Sequence, residues 1–127
     1  MKLLLDTHAF LWFIDDSPLL SAKGKALLEA DNELSLSIGS LWEIAIKLCL
    51  DKLTVAMPLE MLMTQQLTSN DIGILSITVP HLVTVSTLPL HHRDPFDRLI
   101  IAQAMVEQML IVSADPAFDA YPVERLW

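Results

Sequence analysis

Cysteine is almost absent from this chain. Cys49 stands alone, so no internal disulfide can form, and a reducing cytoplasmic compartment is expected. Its expected role is that of a small buried apolar residue. Glycine is as scarce, with 3 in 127 residues, and no Gly/Ser linker, repeat or low-complexity tract divides the sequence. One domain spanning residues 1–127 is expected, long enough for one hydrophobic core. Positive charge is also in short supply: 8 Lys and Arg face 16 Asp and Glu, for a net charge of −8. That balance excludes general electrostatic adhesion to nucleic acid or to an anionic membrane. A metal site stays open, because clustered carboxylates need a cation beside them. No secretory leader is expected, since Asp6 interrupts the first apolar run at once. The uncharged span from Ile72 to His92 raises a membrane question. Its Pro80, Pro89, His81 and many hydroxyl residues read instead as a buried strand followed by a short helix.

Apolar residues are what the chain has in plenty: 53% of it is hydrophobic, with a mean hydropathy of +0.47. Such a chain buries elements on both faces or covers a patch with a partner. Lys2–Leu5 suits a strand buried on both faces, and Thr7–Ile14 turns helical directly after Asp6. Ser21 caps a helix that Asp31-Asn32 stops, and Leu34–Ile38 alternates at period two as a strand. Ser40-Leu41-Trp42-Glu43 has capping-box spacing and opens a helix to about Leu50. A helix over Leu59–Leu67 follows Pro58, then a strand over Gly73–Ile77 and a short helix over Val79–Thr87. A helix from Pro95 to about Met109 is apolar almost all round, which places it centrally or at a subunit contact. Leu110–Ser113 is the fourth strand, and Tyr121–Val123 is a candidate fifth at the edge.

Short strands alternating with helices imply an α/β fold with a parallel sheet covered on both faces. In such sheets ligands bind beyond the carboxyl ends of the strands. Asp6 and Asp115 both close predicted strands. Glu43 and Asp97 both sit at predicted helix starts, which face the same edge. Four acids from distant stretches therefore point to one place. Two unit charges ~4 Å apart repel by about 4 kcal/mol at an intermediate dielectric, so protonation or a cation must relieve the crowding. Oxygen ligands without cysteine favour Mg²⁺ or Mn²⁺ over zinc. That chemistry suits hydrolysis of a phosphodiester.

Each of these residues also has a plainer reading. Glu43 could complete the Ser40 capping box or pair with Lys47 one turn on. Asp94, followed by Pro95, reads as a helix cap rather than a ligand. Asp97 lies beside the positive end of that helix's dipole, where a carboxylate ionises easily. Asp115 could form a turn with Pro116, and Asp119 is either behind the ligands or simply solvated. His91 and His92 lack the spacing of a zinc site and line the loop or touch phosphate. Arg93, Arg98, Lys47 and Lys52 flank the acids, either gripping a nucleic-acid backbone or bridging helix ends. A homodimer is expected from the high hydropathy, with an apolar groove around Trp12, Trp42 and the Met-rich Leu59–Leu67 helix for a partner helix.

Four motifs occur in a definite order: Leu4-Leu5-Asp6-Thr7-His8, Ser40-Leu41-Trp42-Glu43, Asp94-Pro95-Phe96-Asp97-Arg98-Leu99-Ile100-Ile101-Ala102 and Val112-Ser113-Ala114-Asp115-Pro116-Ala117-Phe118. In this the whole chain resembles the PIN-domain family, in particular the VapC-like toxins of type II toxin–antitoxin modules. The resemblance implies a three-layer α/β/α fold around a parallel sheet of four or five strands. It also implies Mg²⁺- or Mn²⁺-dependent endoribonuclease activity, and homodimers held by a cognate antitoxin that places a peptide in the acidic groove. On the motifs, Asp6, Glu43, Asp97 and Asp115 match the family's four acids, and Ser113 falls where a small hydroxyl residue is common. Three rival readings differ in class. A receiver-type phospho-acceptor needs an acid closing the third strand, where Ile74-Leu75-Ser76-Ile77 has none. A haloacid-dehalogenase-type phosphatase needs a second Asp where His8 stands. A non-catalytic binding module of the same fold remains open on sequence alone.

Overall fold

The computed structural model describes all residues, Met1–Trp127. Five parallel strands form one sheet in the order β3-β2-β1-β4-β5, with β1 over Lys2–Leu5, β2 over Glu33–Ser37, β3 over Ile72–Leu75, β4 over Leu110–Val112 and β5 over Arg125–Leu126. β1 lies at the centre, with Leu5 in register with Leu36 on one side and Val112 on the other. Because side chains alternate along a strand, Leu3 and Leu5 enter one core and Leu4 enters the other. All three are fully buried, as expected of a central parallel strand.

Helices cover both faces. α1 (Thr7–Ile14), α2 (Ala22–Glu29) and α3 (Ile38–Cys49) pack with Leu67 and Ile72 on the Leu3–Leu5 face. The helical run before β3 is interrupted: α4 (Leu59–Met61) and α5 (Leu67–Ser69) flank a π turn over Leu62–Gln66. α6 (Val79–Thr87) and α7 (Pro95–Glu107) cover the Leu4 face, with Ile100, Ile101, Ala102 and Ala104 in its core. α7 is thus central to the protomer, the first of the two places its sequence allowed. The expected α/β architecture, covered on both faces, is what forms.

Several boundaries differ from expectation. α3 begins at Ile38 and is capped by Ser37, whose Oγ accepts from the Gly39 N–H at 3.1 Å. Ser40 is therefore inside the helix and buried, its hydroxyl without a hydrogen-bond partner, and no capping box exists there. The fifth strand is Arg125–Leu126 rather than Tyr121–Val123, because Tyr121 turns inward and its hydroxyl donates to the Pro89 carbonyl at 2.7 Å. Cys49 lies at the C-terminal end of α3 and is exposed, not buried. With so little glycine, the left-handed residues after α1, α3, α5 and α7 are Asp16, Asp51, Asp71 and Gln108. Asp tolerates that region better than most residues because its short polar side chain bonds locally.

α3 and α7 belong to opposite layers yet meet over the carboxyl end of the sheet. Gly39 makes this possible: a Cβ there would stand 2.5 Å from Leu99 Cδ2. One turn beyond Gly39 comes Glu43, and just before Leu99 comes Asp97. Gly39→Val should therefore force the helices apart and lower stability by about 1–3 kcal/mol in urea unfolding, the usual cost of overpacking. Gly39→Val with Leu99→Ala should recover part of that loss. Wild-type stability in Gly39→Val would show that the crossing is not tight.

Candidate active site

The chain reverses its direction of winding at β1: it proceeds to β2 on one side and later returns to place β4 on the other. The gap between the carboxyl ends of β1 and β4 is where ligands of open α/β sheets bind. Asp6 follows β1 directly, and its backbone N–H donates to Val112 O of β4 at 3.1 Å. It is also the N-cap of α1, with Oδ1 accepting from the Ala9 N–H at 2.7 Å. Its other oxygen accepts from the Ser113 hydroxyl at 2.5 Å. Both carboxylate oxygens are thus fixed, one by a helix start and one by the end of β4.

Glu43 is buried on α3. Its Oε1 accepts from the Thr7 hydroxyl and its Oε2 from Lys47 Nζ, each at 2.7 Å. Pairing with Lys47 was one of the plainer readings open to this residue. Glu43 makes that pair, and it also faces the other acids. Asp94 is the N-cap of α7, and its Oδ1 accepts from the Phe96 and Asp97 N–H groups at 2.8 and 3.1 Å. Asp97 then projects from the first turn of α7.

His92 closes the arrangement. Its Nε2 lies 2.8 Å from Asp97 Oδ2 and 3.9 Å from Asp115 Oδ2. Neither contact is a straight hydrogen bond, for Nε2 is left without one. The Asp94 N–H donates to His92 Nδ1 at 3.4 Å, which leaves Nε2 as the ring nitrogen facing the acids. His92, Asp97 and Asp115 bring ligand atoms within 4.8 Å of one another, a grouping able to hold a metal ion.

Electrostatics connects the four acids. Burial pushes the Asp6 carboxyl above its usual range, against the pull of the Ser113 and Ala9 hydrogen bonds, and the charge of Asp115 adds to the rise. Asp97 is pushed up to about 6, first by burial and then by the negative charge of Asp94, with Asp6 and Glu43 contributing and His92 opposing. Carboxyls whose ionisation is resisted by burial and by each other fit a hard divalent cation, which removes the repulsion and prefers oxygen ligands.

The other residues singled out in the sequence lie elsewhere or are engaged. Ser113 is fully buried and, besides holding Asp6, its Oγ accepts from the Asp115 N–H at 3.0 Å. Asp115 also caps the short 3₁₀ turn Pro116–Ala120. Asp119 is half exposed and pairs with Arg125 at 2.9 Å, which lowers its pKa through that hydrogen bond. Arg98 directs its guanidinium to the carbonyls of Val85, Leu88, Pro89 and His92, tying α7 to the preceding loop. His91 packs edge-on against Tyr121, and Arg93 is exposed without an ion pair. Lys52 is likewise exposed and unpaired. Trp12 sits between His8 and Trp127, while Trp42 meets Phe96, so the two tryptophans have separate surroundings. Sequence reasoning missed Thr7 as the group holding Glu43 and His92 as the neighbour of Asp97. Thr7 had one available signal, a hydroxyl directly after the first acid.

With this geometry in view, a family model described as PIN domain matches residues 3–124. The chain belongs to the PIN-domain family. Its fold is also that of several solved structures. A chain of VapBC2 from Rickettsia felis, bound to a DNA fragment from the promoter, superposes with a TM-score of 0.74 at 17% identity, covering 99% of this chain and 98% of that one. A chain of FitAcB from Neisseria gonorrhoeae gives 0.68 at 19% identity, over 98% and 96% of the two chains. A chain of VapBC-1 from nontypeable Haemophilus influenzae gives 0.67 at 14% identity, over 99% and 97%. No curated protein matches the chain. No helix is long and apolar enough to cross a membrane.

A folded-state pKa above the unfolded value means that Asp97 takes up a proton on folding between pH 3.8 and about 6. Its contribution to stability is present below the lower value and is lost as pH rises through the upper one. In metal-free protein at pH 7.5, Asp97→Asn should therefore be more stable than wild type by about 1–2 kcal/mol, allowing for solvent screening. The difference should vanish below pH 4. Thermal melts at both pH values check this, and equal stability at pH 7.5 would mean that Asp97 is not under repulsive strain.

Proposed function

We propose that this protein is a metal-dependent endoribonuclease, the toxin component of a type II toxin–antitoxin system. The geometry that carries the reading lies at the switch point of the sheet, where Ser113 ties Asp6 to the end of β4 and His92, Asp97 and Asp115 bring ligand atoms within 4.8 Å of one another. Nuclease activity is typical of PIN domains, and the similar folds come from VapBC and FitAB complexes, which supports the toxin assignment and an antitoxin partner.

Asp6 and Asp97 would hold Mg²⁺ or Mn²⁺, with Glu43 and Asp115 as direct or water-bridged ligands. When bound, the cation supplies positive charge that favours ionisation of the attacking water and offsets charge developing on the phosphoryl oxygens. The chain's own residues do the positioning. Ser113 and the Ala9 N–H fix both oxygens of Asp6, while Thr7 and Lys47 fix those of Glu43. Asp94 holds the first turn of α7 in place and so aims Asp97. His92 sets its Nε2 2.8 Å from Asp97 Oδ2, beside the carboxylate.

Purified protein, freed of any antitoxin, should cut RNA internally with Mg²⁺ or Mn²⁺ and stop when EDTA is added. Asp97→Asn should lower the rate by about 100-fold or more while keeping the fold, on the scale of losing a major electrostatic group. Cleavage should decline as pH falls, because protons then compete with the cation for Asp97 and its neighbours. Expressing wild type alone should arrest growth where Asp97→Asn does not. Cutting that survives both EDTA and Asp97→Asn would mean that the acids are scaffolding.

A homodimer belongs to the same reading. β3 is an unpaired edge strand, and beside it Ile74, Ile77, Val79, Leu82 and Val83 are exposed on β3, the following loop and α6. An apolar patch along a sheet edge is a hazard unless covered, and a second copy would cover it. Light scattering should report a dimer for wild type and a monomer for Leu82→Glu/Val83→Lys. A wild-type monomer at micromolar concentration would remove this surface from the proposal.

A further inference from the structure

The four acids are not equally free to take a cation. Asp6 and Glu43 each have both carboxylate oxygens engaged, but by groups of different charge. Asp6 meets neutral donors, the Ala9 N–H and the Ser113 hydroxyl. Glu43 meets the Thr7 hydroxyl at Oε1 and the Lys47 ammonium at Oε2, each 2.7 Å away.

A Glu–Lys pair one turn apart is common on the solvent face of a helix and contributes little there. This pair differs in burial. The Glu43 side chain is only 8% exposed, whereas that of Lys47 is 37% exposed. The ammonium thus reaches inward from the surface to a buried carboxylate whose other oxygen is held by α1. A buried charge without a partner is costly, and Lys47 supplies that partner permanently. Asp97 has no lysine or arginine paired with it. Its carboxyl is pushed up to about 6, by burial first and then by the charge of Asp94. The repulsion left for a metal to relieve therefore lies at Asp97 and not at Glu43. A divalent ion drawn to Glu43 Oε2 would share that oxygen with an ammonium, and like charges so placed repel. One drawn to Oε1 would compete with the buried Thr7 hydroxyl.

We propose that the Lys47 ammonium takes the place of a second cation, so that the site holds a single divalent ion among Asp6, Asp97 and Asp115, with Glu43 reaching it only through water. This rests on the metal-dependent reading above and narrows it. Lys47 is then a positioning residue, which sets how many ions the acids accept and not merely how stable α3 is.

The test counts ions. Protein stripped with EDTA and desalted is titrated with MnCl₂, and bound Mn²⁺ is measured by calorimetry and by the EPR signal of the free ion. Wild type and Lys47→Arg should each bind one ion. Lys47→Met should bind two, and the second should be lost again in Glu43→Gln/Lys47→Met. Two Mn²⁺ ions held on neighbouring carboxylates couple magnetically, so the spectrum of loaded Lys47→Met should broaden where that of wild type does not. Melting temperatures keep folding separate: metal-free Lys47→Met should melt below wild type, and saturating Mn²⁺ should raise it by the larger amount. Lys47→Gln, which removes the charge but keeps a hydrogen-bond donor, should also take the second ion, and it serves if Lys47→Met does not fold. Two ions in wild type, or a single ion in the uncharged variants, would overturn the proposal and leave the metal-dependent reading standing. No ion bound by wild type would remove both.

Discussion

Repulsion among buried carboxylates is the constraint on which this molecule turns. The winding of the sheet reverses at β1, and the ends of β1 and β4 carry Asp6 and Asp115 into the same gap. α3 and α7, from opposite layers, add Glu43 and Asp97. Burial holds the Asp6 and Asp97 carboxyls above their usual range, with Asp115 adding to the rise at Asp6 and with Asp94, Asp6 and Glu43 adding to the rise at Asp97. A chain that tolerates such a cost retains it for something, and a bound cation is the simplest relief.

What surrounds the acids shows how that cost is contained. Ser113 and Thr7, both buried hydroxyls, donate to Asp6 and Glu43. Lys47 supplies one full positive charge, to Glu43, and His92 sets its Nε2 against Asp97. Asp94 does two things at once: it satisfies the open N–H groups of α7, and its charge raises the pKa of Asp97. The supporting side chains are small or come from the elements that carry the acids. The same residues that start the helices thus aim the site.

Scarcity elsewhere in the chain has structural consequences. Few glycines mean that α1, α3, α5 and α7 are followed by left-handed Asp or Gln, while Gly39 stands where α3 meets Leu99 of α7. Few cations mean that those present are mostly spent within the protein, as Arg98 is on four carbonyls of one loop. Apolar surplus leaves exposed side chains on β3 and α6, and an exposed indole at Trp42 on α3.

The strand–helix alternation, the convergence of Asp6, Glu43, Asp97 and Asp115 on one edge, and the cap role of Asp94 were all legible in the residues. Each depends on local signals: apolar runs, a short acceptor before a helix, proline at its first position. What local pattern could not supply were contacts between distant segments. Ser37 rather than Ser40 caps α3, because the strand continues to Ser37 and the helix starts directly after it. Tyr121 leaves the sheet to bind the Pro89 carbonyl, so the last strand forms further on, at Arg125–Leu126. Thr7 reaches Glu43 across 36 positions and Ser113 reaches Asp6 across 107. His92 joins Asp97 only because the loop before α7 folds back over the site. The sequence by itself determined which residues carry charge and the order in which strands and helices alternate. Tertiary structure decided which of those charges share a space, because burial and distance, not residue type, set how strongly carboxylates resist one another.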